Sequence, residues 1–383
     1  MYKAITTIVL FALLALFPWI QGVSKLLPDA PLNENRVLAK LPDWNRETAF
    51  RSYASDFQKW FNDHYPSRCF LIRLKTQIDY SVFDYSDRIH IGRDGWLYHR
   101  STLDVNKPEV QHFGDDSYKL FNSNLKQLHD WLQERGIRLV IMDNEMKDVF
   151  YPQYLPRSAP RPFKHSNYQE FRENLAAKTG CLFLDSTKIL KALQKERTVF
   201  HRTDLHWNDP AAFVVGKSLV EFIADQLALP NVKWKSTLSI RYESDSGGEA
   251  SFMPLFRPAR ETALFLHEQP WDSTISQTTK EPFEFIFQKS PRSTTCLPTT
   301  VIFGDSFVDG MLRSGLARHF NAFYRARLFH CSLSEVLKNM PADTKVFIIQ
   351  FSEQNLGVFG PGATTDYSKI RWPAPPELAN TQP

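Results

Sequence analysis

Two rhythms of apolar and polar positions run along this chain, and an unbroken apolar run precedes both. Lys3 is followed by an uncharged stretch from Ala4 to Ile20, with Trp19 near its far end. That length is near the lower limit for a spanning helix, and the run has no polar face to show to water. Residues 1–23 therefore read as an uncleaved signal anchor that leaves the N-terminus in the cytoplasm and exports the rest. The alternative is a cleaved signal peptide, although no small-x-small cleavage site precedes the polar region. Residues 24–45 ("SKLLPDAPLNENRVLAKLPDW" and its surroundings) are polar and proline-spaced, a linker leaving the membrane. From Arg46 to about Tyr80, Phe50, Tyr53, Phe57, Trp60 and Phe61 recur at three- and four-residue steps, which predicts helix with an aromatic packing face.

Beyond this point helices alternate with short buried runs. "IHIGRDGWLYH" (89–99) reads as two short strands around a turn. Asp116–Arg135 is an amphipathic helix stopped by Gly136, and "IRLVIMD" (137–143) is a buried strand. A helix over 168–180 ends in glycine and leads into the strand "CLFLD" (181–185). Residues 208–227 form a helix with Asn208 or Asp209 as cap and Pro210 in its first turn. Residues 299–304 and 345–352 are further buried strands, and "VDGMLRSGLARHF" after the first of them is helical. Strands alternating with helices predict an α/β domain over 46–383, a parallel sheet with helices on both faces. Residues 229–292 break the alternation and read as an insertion of loops and short strands. The tail from Arg371 is proline-rich.

Composition narrows the class. The chain has 383 residues, 43% hydrophobic and 14% aromatic, so a large core is within reach and disorder is excluded. The formal net charge of +4 gives no warrant for nucleic-acid binding. Cys69, Cys181, Cys296 and Cys331 are scattered without metal-ligand spacing. Export permits a Cys296–Cys331 disulfide; buried free thiols are the alternative.

Two short stretches carry chemistry. Gly304-Asp305-Ser306-Phe307 sits where a buried strand meets a helix, so Ser306 projects from the carboxyl end of the sheet beside free helix-start amides. A serine hydroxyl needs a base within hydrogen-bond reach, and that base needs an orienting carboxylate. "TDLHWNDP" (203–210) holds both, His206 and Asp204, two residues apart just before a helix cap. Gly-Asp-Ser alone arises by chance in roughly one chain in ten of this length; its place between strand and helix is what makes it a candidate. The Ser306 backbone N–H is the expected oxyanion donor. Asn144, at a strand end, is a second candidate donor or else satisfies its own loop. Trp207 either lines the site beside the serine or packs in the core. No long basic groove singles out a polyanionic acceptor, and Arg325 and Arg327 in "FYRARLFH" (323–330) read as surface residues. Neither a metal nor a nucleotide cofactor is expected.

These residues resemble a known family. Gly304-Asp305-Ser306 is similar to the serine block of SGNH hydrolases, and Asp–His ahead of serine resembles the circularly permuted order of the periplasmic alginate O-acetyltransferases. "FNDHYPSRCFLIRLK" (61–75), "IGRDGWLYH" (91–99), "KDVFYPQYLP" (147–156), "TDLHWNDPAA" (203–212) and "TTVIFGDSF" (299–307) resemble that family's blocks, over about residues 50–355. "IMDNEM" (141–146) departs from the proline more usual near the lysine. The resemblance implies an SGNH-like fold and Ser306 as nucleophile, with His206 as base and Asp204 as its orienter. It also implies transfer of acetyl from a multi-pass membrane acyltransferase partner, through acetyl-serine, to a hydroxyl of an exported polysaccharide. A carbohydrate esterase with the same triad, or a non-catalytic scaffold subunit, are the competing expectations.

Overall fold

The structure is a computed structural model that describes residues 2–25, 32, 37–44, 50–103, 115–161, 167–235, 238–245, 247–268, 275–355 and 365–372. Most of the expected linker and all but the start of the proline-rich tail lie outside the described residues.

The described strands are β1 (Ile89–Ile91), β2 (Leu97–His99), β3 (Arg138–Asn144), β4 (Leu182–Asp185), β5 (Leu238–Asp245), β6 (Glu261–Glu268), β7 (Ile275–Lys280), β8 (Phe283–Lys289), β9 (Thr300–Gly304), β10 (Ala322–Arg327) and β11 (Val346–Ser352). Seven of them form one sheet in the order β4-β3-β11-β9-β10-β8-β7. The five from β4 to β10 run parallel; β8 is antiparallel to β10, and β7 to β8. The sheet is thus mixed, a correction to the all-parallel expectation. The two added strands come from within the 229–292 segment, whose remainder supplies the separate β5–β6 pair.

The central strands are apolar throughout because both of their faces are covered. Val140, Met142, Ile302 and Ile348 face the helix Asp209–Gln226, through Val215, Leu219 and Ile223. Leu139, Ile141, Val301, Phe347 and Ile349, their sequence neighbours, face the helices Asp115–Gln133, Asn167–Thr179 and Leu333–Asn339. Each such side chain contributes about 1.5–3 kcal/mol by leaving water. The helix Asp209–Gln226 starts where expected: Asn208 is the cap, its side chain accepting from the Ala211 N–H at 3.1 Å. The parallel register sets Gly304 beside Gln350 and Asn144 beside Ser352, so the carboxyl ends of β9, β3 and β11 form one rim.

Three expectations outside the sheet are revised or refined. The aromatic stripe on Phe50–His64 is not a buried packing face; no residue of that helix is buried, and Tyr53, Phe57, Trp60 and Phe61 contact one another. All four cysteines are free thiols, so the Cys296–Cys331 pairing does not form. Tyr2–Ser24 is one helix, with Ile8, Phe11 and Leu13 exposed. Among the described residues no helix is long and apolar enough to cross a membrane.

Candidate active site

β9 ends at Gly304, and the next three residues turn sharply. Gly304 is required there: a Cβ would meet Val308 Cγ2 at 2.7 Å and Gln350 Oε1 at 2.9 Å. Asp305 shapes the turn from every side. Its Oδ1 accepts the Phe307 N–H at 2.9 Å, and its Oδ2 accepts the Ser352 N–H at 2.8 Å and the Asn355 amide at 2.9 Å. Its own N–H donates to Gln350 Oε1 at 2.9 Å, and its carbonyl accepts from Arg325 at 3.0 Å. The turn is therefore pinned to the ends of β10 and β11, and Ser306 stands at its apex. The helix that follows, Val308–Arg313, is shorter than expected, giving way to a 3₁₀ turn over Leu316–His319. With the Phe307 N–H already bound, the Ser306 N–H has no partner among the described residues and is the donor left for an oxyanion.

The base arrives on a loop closed at its neck, where the His201 N–H donates to the His206 carbonyl at 3.2 Å. Asp204 and His206 lie on a bend in the chain, not on a strand. Asp204 Oδ1 accepts the His206 backbone N–H at 2.9 Å, a side-chain-to-backbone turn that brings the ring around. The same oxygen meets His206 Nδ1 at 2.6 Å, and His206 Nε2 lies 2.6 Å from Ser306 Oγ. The structure thus brings Ser306, His206 and Asp204 into one hydrogen-bonded chain across 100 residues of sequence.

The loop has supports that sequence reasoning missed. Glu261, on β6, accepts from the N–H groups of Arg202 and Thr203 at 2.9 Å each and from the Thr203 hydroxyl at 2.8 Å. Lys147 donates to the carbonyls of His201, Arg202 and Asp204 at 3.2, 3.2 and 2.7 Å, with its ammonium near the Trp96 and Tyr98 rings. Two of the family-like sequence blocks, 91–99 and 147–156, therefore meet beneath the loop. The Gly248 N–H donates to Asp204 Oδ2 at 2.6 Å. A Cβ on Gly248 would sit 2.7 Å from that oxygen. Gly248→Ala is expected to cost about 10- to 100-fold in turnover by displacing Asp204, with the melting transition little changed. Turnover within twofold of wild type would remove this backbone amide from the machinery. The only sequence signal for it was the Gly247–Gly248 pair inside the supposed insertion.

Electrostatics follow from burial and these bonds. Burial opposes the Asp204 charge, but the hydrogen bonds and charge of His206 and the Gly248 amide outweigh it and hold the carboxyl well below the usual range. Burial lowers the His206 pKa, yet the Asp204 bond and charge win and leave it above the ordinary 6.5. A base must be neutral to take a proton. Turnover at low substrate is accordingly expected to rise with pH through an ionisation above 6.5, and an inflection at or below that value would contradict the pairing. Glu249, fully buried next to Gly248, is pushed up to about 8 by burial and the charge of Asp204.

Two candidates from the sequence move. Asn144 has no exposed surface, and its carbonyl accepts from the Gln350 amide at 3.2 Å. It braces the residue that holds Asp305 and is not an oxyanion donor. Trp207 is 1% exposed, bonds the Phe307 carbonyl at 3.1 Å and crosses the Phe307 ring edge-on. It is mainly packing behind the site, and it also lines the cavity in front of Ser306. Arg325 is also corrected: it is 2% exposed, ion-paired with Glu284 and Asp309, and not a surface residue.

A strand-end serine above a helix-covered, mostly parallel sheet is the arrangement of the SGNH hydrolase-like α/β proteins. The family described as "SGNH hydrolase-like domain, acetyltransferase AlgX" matches residues 89–318, well over half of the chain, and the chain belongs to it. Among curated relatives, the "Probable alginate O-acetylase AlgJ" of Pseudomonas syringae pv. tomato is 25% identical over 197 residues, 51% of this chain and 49% of that protein. The protein of the same name from Pseudomonas aeruginosa is 26% identical over 207 residues, 53% and 50% of the two chains. The chain thus spans about half the length of the curated relatives it matches. Bacillus cereus PatB1, solved with a sulfonyl adduct, shares the fold at a TM-score of 0.51 and 13% identity, over 74% of this chain and 99% of that one. The O-acetyltransferase domain of Pseudomonas putida AlgJ aligns at a TM-score of 0.49 and 19% identity, over 74% and 96%.

Proposed function

We propose that this chain transfers acetyl groups to hydroxyls of an exported polysaccharide through an acetyl-Ser306 intermediate. The observation that carries the reading is the continuous Asp204–His206–Ser306 hydrogen-bonded chain, 2.6 Å at both links, opening on a cavity. Membership of the acetyltransferase family supports the choice of acetyl.

In the first half-reaction His206 Nε2 takes the Ser306 hydroxyl proton as Oγ attacks the acetyl carbonyl. The Ser306 N–H meets the oxygen on which charge gathers, and Asp204 steadies the imidazolium. Collapse breaks the bond to the donor, whose leaving atom takes the proton from His206. In the second half a sugar hydroxyl gives its proton to His206, attacks the acetyl-serine carbonyl and leaves as the ester, restoring the Ser306 hydroxyl. Glycan acetylation and deacetylation share every step but the identity of this second hydroxyl.

The Asp–His-before-Ser order fits a permuted SGNH plan. The Tyr2–Ser24 helix does not meet the length and apolarity of a spanning helix, but its exposed Ile and Leu side chains support attachment to the inner membrane, with the catalytic domain on the periplasmic side. A multi-pass membrane acyltransferase would then supply acetyl. Deleting residues 1–24 tests the anchor; a protein that still pellets with membranes counts against it. The chemistry is tested by intact-protein mass after brief exposure to an activated acetyl ester, with and without sugar oligomers. The expected result is an acetyl gain on Ser306 that oligomers discharge faster than water does. Discharge by water alone would make the protein an esterase, and an adduct on any other residue would refute the assignment.

A further inference from the structure

Two neighbouring helices leave apolar stripes uncovered among the described residues. On Phe50–His64, the side chains of Phe50, Tyr53, Phe57, Trp60 and Phe61 share one face. Their rings run on from one another: Trp44 meets Tyr53 edge-on at 4.8 Å, Tyr53 stacks on Phe57 at 6.2 Å, and Phe57 lies against Trp60 at 5.4 Å. Trp44 and Phe50 are nevertheless 56% and 73% exposed, and Phe57 and Phe61 are exposed as well. The opposite face is polar, with Arg51, Gln58, Lys59 and Asn62. The next helix, Arg68–Phe83, adds exposed Leu71, Leu74, Ile78 and Val82 at three- and four-residue steps. An apolar surface of this extent is a contact surface for something else. What stands beside it points to the partner. The helix Tyr2–Ser24 ends against the turn that joins these two helices: Gln21 is buried, and a Cβ on Gly22 would lie 3.4 Å from the Pro66 ring.

On the reading that Tyr2–Ser24 attaches the protein to a membrane, we propose that the aromatic face of Phe50–His64 lies flat in the headgroup layer of the same lipid surface and sets how the catalytic domain stands on it. An amphipathic helix with one aromatic face and one polar face is built for that layer. Trp44, Tyr53 and Trp60 each carry a polar N–H or O–H on an apolar ring, which suits a boundary that is apolar on one side and wet on the other. The first helix falls short of a spanning segment, so attachment gains from a second contact next to it. The second helix carries the surface inward. Phe70 lies 5.4 Å from the Phe256 ring, and the Phe256 N–H donates to the Gln77 side-chain oxygen at 3.2 Å. Phe256 belongs to the segment between Gly248, whose amide holds Asp204, and Glu261, which holds Thr203. One helix thus separates the lipid-facing side of the protein from the supports of its catalytic base.

The test mixes the full chain with vesicles of phosphatidylethanolamine and phosphatidylglycerol whose acyl chains are brominated close to the headgroup, and reads quenching of tryptophan fluorescence. Trp19→Phe silences the N-terminal helix. The expected result is quenching in Trp19→Phe that is largely lost when Trp44→Phe and Trp60→Phe are added. Equal quenching in the two proteins, or none in the first, overturns the proposal. Phe57→Glu with Phe61→Glu is expected to weaken vesicle binding by about tenfold or more. Both side chains are exposed, so melting and acetyl loading of Ser306 should stay at the wild-type level. Vesicle binding within twofold of wild type would count against the docked face. A wild-type chain that does not sediment with vesicles overturns the attachment reading and this one together, whereas attachment without quenching at Trp44 and Trp60 overturns this one alone. A dimer in solution whose Trp44 and Trp60 are untouched by bromine assigns the face to a second copy and likewise overturns it.

Discussion

Ser306→Ala is expected to lower turnover of an activated acetyl ester by roughly 10⁴- to 10⁶-fold, the loss seen when a nucleophile that acts as part of a unit is removed. The residual rate would come from the Ser306 backbone N–H, which alanine keeps. The fold should be indifferent: the hydroxyl bonds only to His206, while the turn itself is held by Asp305, Gln350 and Arg325. The change is thus a clean test. A variant that melts with wild type and has lost the acetyl adduct isolates the hydroxyl as the reacting group. A variant that retains more than about one per cent of turnover would move the chemistry to another residue.

Asp204→Asn is expected to fall nearly as far, by about 10⁴-fold, for a reason that lies in proton positions. Asp204 receives donors at both oxygens: His206 through its backbone and ring at Oδ1, and the Gly248 N–H at Oδ2. A carboxylate accepts all three. An amide has one oxygen, so whichever way the substituted side chain turns, its NH₂ confronts an N–H. If it faces His206, the ring must carry its proton on Nε2, and the lone pair that should take the Ser306 proton is gone. If it faces Gly248, a buried backbone donor loses its acceptor, at about 1–3 kcal/mol of stability. Kinetics and melting together separate the two orientations. A variant with wild-type turnover would mean that Asp204 has no part in setting the tautomer. With its charge gone, the ionisation seen in the pH profile should also drop towards the ordinary histidine value, since Asp204 is what raises it.

What was legible in the sequence was what local pattern encodes. Residues 137–143, 299–304 and 345–352 are continuous apolar runs because both faces of their strands are buried, and each is a strand of the main sheet. Ser306, His206 and Asp204 could be paired in advance because acyl transfer needs those types together and each lies at an element boundary. What local pattern does not carry is which elements become neighbours. β8 alternates much as a free-standing hairpin strand does, and only its pairing with β10 makes it part of the sheet. Asn144 and Trp207 have the right chemistry for a site, but their role is set by burial, which depends on partners far along the chain. The aromatic stripe at 50–61 has a helical period, and period alone does not say whether a core lies beneath it. Lys147, Gly248 and Glu261 support the loop through backbone groups, and such contacts leave no mark on residue spacing.

The nucleophile and its base belong to different parts of the molecule. Ser306 is riveted to the central sheet, whereas the loop bearing Asp204 and His206 is held by Lys147, by the Leu97 amide and by residues 248–261: the Gly248 and Ala250 amides and the Glu261 carboxylate. Those residues flank and begin a two-stranded pair that has no place in the main sheet. Such a pair, tied to the helix Asp209–Gln226 through the Leu266 N–H, opens at less cost than a seven-stranded sheet covered on both faces. On warming, the hairpin is expected to let go first, so that the catalytic relay comes apart while the sheet is still intact. Heat inactivation is then expected to precede global melting and to be undone by cooling; activity and circular dichroism lost at the same temperature would contradict it.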